Sequence, residues 1–426
     1  DFSTKYPLVL TGGDEVDLVY TSSWTQFNQN AAKGAFVELT DEFLSTWMPE
    51  TYKNEAQAAW EQVKIDGKIY AVPRNQTEMQ NCGGVLIRTD LAEKYGFDLA
   101  EMDTLEEYEA FLYAVADGES EIYGFYNFPS NMLMQGTIYT ALNNIFTVYD
   151  NLAVDANQSF DQPEDLQYLY LMEDYRDYIL RMAEWAERGV WPSNAISGTT
   201  HTNDLFEEGK SASMFARVPE ADNYITYMEE KGIEVEYVDI LPKENYTRLT
   251  AYSGDCMAIA SFSETPERAA LALDVMKNDY DTNMLLLGGI EGTHYTLNDD
   301  GTRSPGEKAA DYGWDGYTWA LRNDWNPQLK KHDIVSELED QLYAQLMPDD
   351  VWVWDGFTGN EEEHSAQKAV IDSLISQYQY SFDLGVFGSE TETQYDSFVN
   401  QLKQAGIDEV VAAWQQQAAD FLASKG

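Results

Sequence analysis

The sequence predicts an α/β fold arranged in more than one domain, on three observations. Short apolar runs with β-branched residues alternate with amphipathic helical stretches over most of the chain, the pattern of α/β domains with largely parallel sheets. At 426 residues the chain is long enough for two or three separate cores. Several of the predicted strands run into polar loops that carry a large aromatic, and ligands of open α/β sheets sit at the carboxyl ends of strands.

The elements follow in order. Val16 to Tyr20, behind the Gly12-Gly13 turn, predicts a buried parallel strand, and the Thr21-Ser22-Ser23-Trp24 loop after it is placed to line a pocket. Gln26 to Lys33 reads as a helix stopped by Gly34, and Ala35 to Leu39 as an extended segment. Thr40 is the N-cap of the next helix, with acidic residues in its first turn. After a helix over Ala56 to Val63, a hairpin turns on Asp66-Gly67 and ends in the donor-rich Arg74-Asn75-Gln76. Gly83 to Ile87 is a buried strand, Leu91 to Tyr95 a helix closed by Gly96, and Thr104 caps a helix reaching Ala116.

Ile122 to Phe128 is an aromatic strand. Residues 163–188 predict one long amphipathic helix, on the spacing of Leu166, Leu169, Tyr170, Ile179, Met182 and Ala183. Thr202 to Lys210 is a helix, and Ala212 to Ala216, Val235 to Leu241 and Cys256 to Ala260 are strands. Thr265 then caps a helix with Pro266 at its first position. The stripe Ile407, Val410, Val411, Trp414, Ala418, Phe421 and Leu422 ends the chain in an amphipathic helix.

Charge and motifs exclude several classes. Lys and Arg number 26 against 75 Asp and Glu, a net charge of −49, which repels nucleic acid and anionic membranes and keeps the surface solvated. No apolar run reaches the ~18 residues of a spanning helix, and the opening Asp1-Phe2-Ser3-Thr4 is not a signal peptide, so any targeting segment is expected outside this sequence. Two cysteines and four histidines lack metal or redox spacing, and no cofactor is expected. GxSxG, P-loop and complete GxGxxG motifs are absent. Among 75 carboxylates some pair is adjacent by chance, so a glycosidase pair cannot be picked out.

The binding case rests on loops that set an aromatic beside a polar group: Trp24, Tyr252-Ser253-Gly254-Asp255, Trp314-Asp315-Gly316-Tyr317 and Trp352-Val353-Trp354-Asp355. Sugars have apolar ring faces and hydroxyl rims, which aromatic platforms and planar polar groups hold together. Any single member of the 11 Trp and 28 Tyr serves equally well in a core.

Taken together, the blocks resemble a known family. Gly13-Asp14-Glu15-Val16-Asp17-Leu18-Val19-Tyr20-Thr21 is similar to the "SGDxPDVVFT" block of extracellular solute-binding proteins of bacterial ABC transporters. Ala32 to Asp41 resembles its "xxGxLxPLDD", Asp66 to Pro73 its "DGKxYAxP", and Gly83 to Asp90 its next strand. Ala258 to Val275 is similar to its "IxxxSKNPExAxxxLxxL". Ile290 to Tyr295 and Leu402 to Asp408 resemble a carbohydrate-associated lipoprotein branch with a distinct C-terminal domain.

The resemblance implies a two-lobed periplasmic-binding-protein-like α/β fold of type II, its discontinuous lobes joined by hinge strands that close on a ligand. The lobes expected are 1–115 with 262–320, and 116–261 with 321–426. It implies a monomeric, cell-surface lipoprotein, not an enzyme, that captures a mono- or oligosaccharide for permease subunits and does not bind nucleic acid. Expected ligand contacts are Ser23, Trp24, Gln26, Arg74, Asn75, Gln76, Phe215, Arg217, Tyr252, Asp255, Trp314, Tyr317 and Trp354. Arg217 serves equally as a structural ion-pair partner. The family places a βαβ unit before the Gly-Asp block, where only 12 residues stand here, and it brings Cys82 and Cys256 near the hinge, as a disulfide or as two free thiols. A binder of peptides or other polar solutes and a glycoside hydrolase are the alternative readings.

Overall fold

A computed structural model of the chain describes residues 2–12, 16–23, 27–65, 67–79, 84–129, 135–311, 317–348, 352–354, 357 and 359–425. The chain forms two compact units, Asp1–Glu78 with Leu249–Lys331, and Met79–Arg248 with His332–Gly426. The strands are β1 (Leu18–Thr21), β2 (Lys64–Ile65), β3 (Lys68–Ile69), β4 (Val72–Pro73), β5 (Gly84–Arg88), β6 (Tyr123–Phe125) and β7 (Ile145–Tyr149). They continue with β8 (Leu152–Asp155), β9 (Gln167–Tyr168), β10 (Ser211–Phe215), β11 (Val235–Asp239), β12 (Cys256–Ile259), β13 (Tyr295–Leu297) and β14 (Arg303–Pro305).

In the first unit β12 lies between β1 and β4 and runs antiparallel to both. This corrects the expectation of largely parallel sheets; among the strand pairs described, only β6 with β10 is parallel. Alternation of strands and helices sets direction only when consecutive strands pair through a crossover, and here β1 pairs with a strand more than two hundred residues on. Nor is β1 buried on both faces. It is a sheet edge, with Val19 and Thr21 buried and Leu18 and Tyr20 half-buried.

The core beneath this sheet gathers Phe27, Leu44, Trp60, Val72, Ala258 and Leu273, joined by Tyr6 and Leu10 of the helix Phe2–Gly12. Thr40 caps the helix Asp41–Trp47 as expected, its Oγ1 accepting from Phe43 N at 3.1 Å. Thr265 does not use its side chain as a cap. Its N–H donates to Ser263 Oγ at 3.2 Å, and Pro266, which lacks an N–H, opens the helix Pro266–Asn278. Cys256 is a free buried thiol whose pKa burial pushes up, and Cys82 lies outside the described residues.

The second unit is built on a four-stranded sheet ordered β11-β5-β10-β6, with every residue of β5 buried. A Cβ at Gly84 would stand 2.0 Å from the Tyr237 ring on the neighbouring strand, so no larger residue fits. Residues 79–115, expected in the first lobe, group with this unit because β5 pairs with β10 and β11. The helix Leu105–Gly118 starts on a reciprocal cap in which Thr104 Oγ1 accepts from Glu107 N and Glu107 Oε2 accepts from Asp103 N. It buries Tyr108, Phe111, Leu112 and Val115.

The expected helix over 163–188 is shorter. A 3-10 turn at Pro163–Asp165 leads into β9, which pairs with β8, and the helix spans Glu173–Glu187. Leu166 and Tyr168, two apart, are both buried along the extended stretch, and Leu169 and Tyr170 are buried in the 3-10 turn Leu169–Leu171 that follows it. The helices Ser365–Asp383, Thr391–Gln404 and Ile407–Lys425 complete this unit. On the last of them Ile407, Val410, Trp414 and Ala418 are buried, while Val411, Phe421 and Leu422 are partly so. Among the described residues no helix is long and apolar enough to cross a membrane.

Candidate functional site

The direction of β12 decides where the predicted loops go. Thr21 stands opposite Cys256, and Cys256 opposite Pro73. The carboxyl ends of β1 and β4 therefore emerge at the same end of the sheet as the segment leading into β12. Three stretches that the sequence singled out separately, 21–23, 74–76 and 252–255, meet there. Ser23 N donates to Ser253 O at 2.8 Å, and Arg74 N to Asp255 O at 2.9 Å.

An ion network lies beneath these loops. Arg74 Nη1 is 2.7 Å from Asp255 Oδ2, with the two side chains 4% and 9% exposed. Tyr20 Oη donates to the other carboxylate oxygen at 2.5 Å. Burial first, and then the Asp255 carboxylate, push the Tyr20 phenol far above its ordinary pKa, so it stays a donor. Arg74 Nη2 donates to Thr250 Oγ1, which also accepts from Glu78 N at 3.0 Å. The Glu78 carboxylate lies 3.8 Å from Arg74 and pairs with Arg322. Arg74 Nε is buried without an acceptor among the described residues.

Arg74 and Asp255 thus form the base of the site, not its surface. Asn75 is also a tie: its Nδ2 donates to Asn54 O at 3.1 Å, its Oδ1 accepts from Ala56 N at 3.3 Å, and its N–H donates to Arg322 O at 2.9 Å. The outer groups are Ser23, exposed, with Gln76 and Tyr252, both half-buried. Trp319, 40% exposed, sits in the 3-10 turn Tyr317–Leu321 just before Arg322. Sequence reasoning missed it. Its signal was present, three residues after the Trp-Asp-Gly step, but it takes long-range contacts, among them the hydrogen bond from Asn75 N to Arg322 O and the Arg322–Glu78 ion pair, to bring that segment to the loops. Trp24, Gln26 and Trp314 lie outside the described residues, as does the side chain of Tyr317.

Two of the candidates in the second unit, Phe215 and Trp354, are buried in its core. Phe215 is 2% exposed and meets Tyr108 and Phe125 edge-on, at 5.8 and 5.1 Å between ring centroids. Trp354 is 2% exposed and donates its indole N–H to Phe160 O at 2.5 Å. Both positions are strand-like and aromatic, which reads alike for a core and for a platform. Arg217, half-buried, pairs with Glu220 in the first turn of the helix Val218–Glu230. Two half-buried aromatics of this unit have partners against their rings: Phe128 meets exposed His201, 4.7 Å between centroids, and Trp352 lies under the Arg248 guanidinium at 3.7 Å.

Chemically, the first unit's site offers a hydroxyl, an amide and a phenol beside a neutralised ion network, and an exposed indole, Trp319, on the segment joined to it through Arg322. Such groups bind by hydrogen bonding and stacking. Asp255 and Glu78 are each engaged by a guanidinium. No group of three or more His, Cys, Asp or Glu able to hold a metal ion occurs among the described residues.

Two discontinuous α/β units define a two-lobed binding-protein fold. Solved structures share it: the N-glycan transport solute binding protein NgtS from Streptococcus pneumoniae is 16% identical, with 100% of this chain and 90% of that one covered at a TM-score of 0.77. The alginate-binding protein AlgQ2 is 15% identical, with 98% and 89% covered at a TM-score of 0.71. A solute-binding protein described as binding HMO, from Bifidobacterium longum infantis, is 14% identical, with 98% and 90% covered at a TM-score of 0.66. No curated protein matches the sequence. Residues 4–276 match the family described as bacterial extracellular solute-binding protein, and the chain belongs to that family. Residues 353–423 match a domain of unknown function, DUF3502.

Proposed function

We propose that this chain is the ligand-capture subunit of an ABC importer and that its ligand is an oligosaccharide. The observation that carries this reading is the convergence of Ser23, Gln76 and Tyr252 at one end of the first unit's sheet, with the segment that carries exposed Trp319 tied to Asn75 through Arg322. Stacking on an indole with a rim of hydroxyl and amide partners matches a sugar ring better than it matches a charged solute, because the guanidinium of Arg74 beneath is already paired. The names of the structural neighbours support the same class: one structure holds NgtS with Man5GlcNAc, another holds FusA with kestose.

In this reading Arg74, Asn75 and Asp255 shape the site and the four outer residues touch the ligand. The protein works as a monomer held at the cell surface by a lipid anchor, hands its ligand to a permease, and breaks no bond in it. A panel of Man5GlcNAc, kestose, fructo-nystose and alginate oligosaccharides tests the reading. A saturable rise in melting temperature with the sugar recovered intact is the expected result. Turnover of any member would replace capture by hydrolysis, and silence across the panel would remove the sugar class.

A further inference from the structure

Lys277 and Glu55 form an ion pair with almost no exposed surface, 0% and 2% for the two side chains, and Lys277 Nζ lies 2.6 Å from Glu55 Oε1. The ammonium has two more partners, Pro73 O at 2.6 Å and Ala320 O at 3.4 Å. An ammonium carries three N–H donors, and here each has its own acceptor. The choice of acceptors is the telling part. Pro73 immediately precedes Arg74, and Ala320 immediately follows Trp319. The Lys277 carbonyl in turn accepts from Asn323 Nδ2 at 2.8 Å, and Asn323 bridges to Asn75.

A buried ion pair is often replaceable by apolar residues of similar volume with no loss of stability, so folding alone does not account for this one. We propose that Lys277 is a positioning residue: by gathering the carbonyls of Pro73 and Ala320 onto one ammonium, it sets the spacing between the Arg74-Asn75-Gln76 turn and the Trp319 face. The role in binding rests on the reading that these segments hold the ligand; the role in positioning does not.

Two readouts separate the claims. In E55L/K277M, which replaces the pair by apolar side chains, hydrogen exchange of the Asn75 amide should speed at least tenfold. The Val37 amide, bonded to Ile259 O at the other end of the sheet, serves as the control and should keep its wild-type rate. Affinity for the panel oligosaccharide that most raises the wild-type melting temperature should fall at least tenfold, with the melting temperature of the free protein nearly kept. Wild-type exchange at Asn75, or wild-type affinity despite faster exchange, overturns the proposal. If the double variant does not fold, K277R is judged by the same two readouts, since a planar guanidinium keeps the charge but cannot direct donors to the same three acceptors. If the wild-type protein takes no sugar of the panel, the functional reading fails and the exchange experiment alone decides for or against Lys277.

Discussion

The Arg74 guanidinium and the Asp255 carboxylate, 181 positions apart in the chain, meet at 2.7 Å with both side chains buried. The pair joins the carboxyl end of β4 to the start of β12, and the Tyr20 hydroxyl closes it from β1. Two contacts to one carboxylate thus tie together all three strands of the first unit's sheet.

Removing the charge of Asp255 should therefore destabilise the first unit. In D255N the Arg74 guanidinium keeps neutral acceptors such as Thr250 but, of its two carboxylates, only the more distant Glu78, and leaving a buried charge so poorly matched costs about 3 kcal/mol. The urea midpoint reads this directly. A loss under about 1 kcal/mol would mean that the pair behaves like a surface salt bridge.

Two tryptophans should answer oppositely to truncation. Trp319 is exposed, so W319A should change stability by no more than about 0.5 kcal/mol. It should nonetheless weaken oligosaccharide binding tenfold, about 1.4 kcal/mol. Trp354 is buried with its indole hydrogen-bonded, and W354A should cost about 3–5 kcal/mol of stability. Calorimetric titration alongside thermal unfolding separates the two effects.

His332 adds a pH dependence. Burial lowers its pKa, but its hydrogen bond to Asp222, at 2.7 Å from Nδ1, and the Asp222 and Glu229 charges outweigh burial and raise it. A raised folded-state pKa means the imidazolium's stabilisation is complete below the unfolded value of about 6.5. It is lost as the pH climbs through the folded value. Wild-type melting temperature should fall across that window more than that of H332Q, and an NMR titration of the ring gives the pKa itself. Parallel curves would show that the ring is uncoupled from its carboxylate neighbours.

Asp383 works in a different pH range. Burial pushes its carboxyl up to about 7, while hydrogen bonds from Tyr178, at 3.0 Å, and Gln379 act the other way. Folding therefore favours the protonated acid, and stability is lost as the pH rises from about 4 toward 7. D383N, neutral at every pH, should be more stable than wild type at pH 8 and close to it at pH 4. The expected difference at pH 8 is on the order of 4 kcal/mol. Equal unfolding midpoints at both pH values would contradict a buried acid.

Much of this organisation is legible in the sequence because it is local. Thr40 and Thr104 announce their caps through the acidic residues that follow, and Gly34 and Gly96, both at positive φ, mark helix ends. The polar loops after β1 and β4 are legible too. What is not legible is pairing across long separations. Strand direction, the assignment of 79–115 and the arrival of Arg322 beside Asn75 all depend on contacts no local pattern records. Phe215 and Trp354 show the other gap, since a large aromatic beside a polar residue fits a core and a binding face equally until burial is known.

The central place of β12 has a consequence for how the first unit comes into being. β1 and β4 each pair with it and not with one another. Until residue 259 has been made, neither strand has its partner in the sheet, and both carry unsatisfied backbone edges. The residues that the second unit contributes before that point, 79–248, are synthesised in between. Assembly of the first unit is thus a late event by construction. A fragment that stops short of β12 would hold most of the loop residues of the site yet have nothing to arrange them on, and its open edges would invite association with other chains.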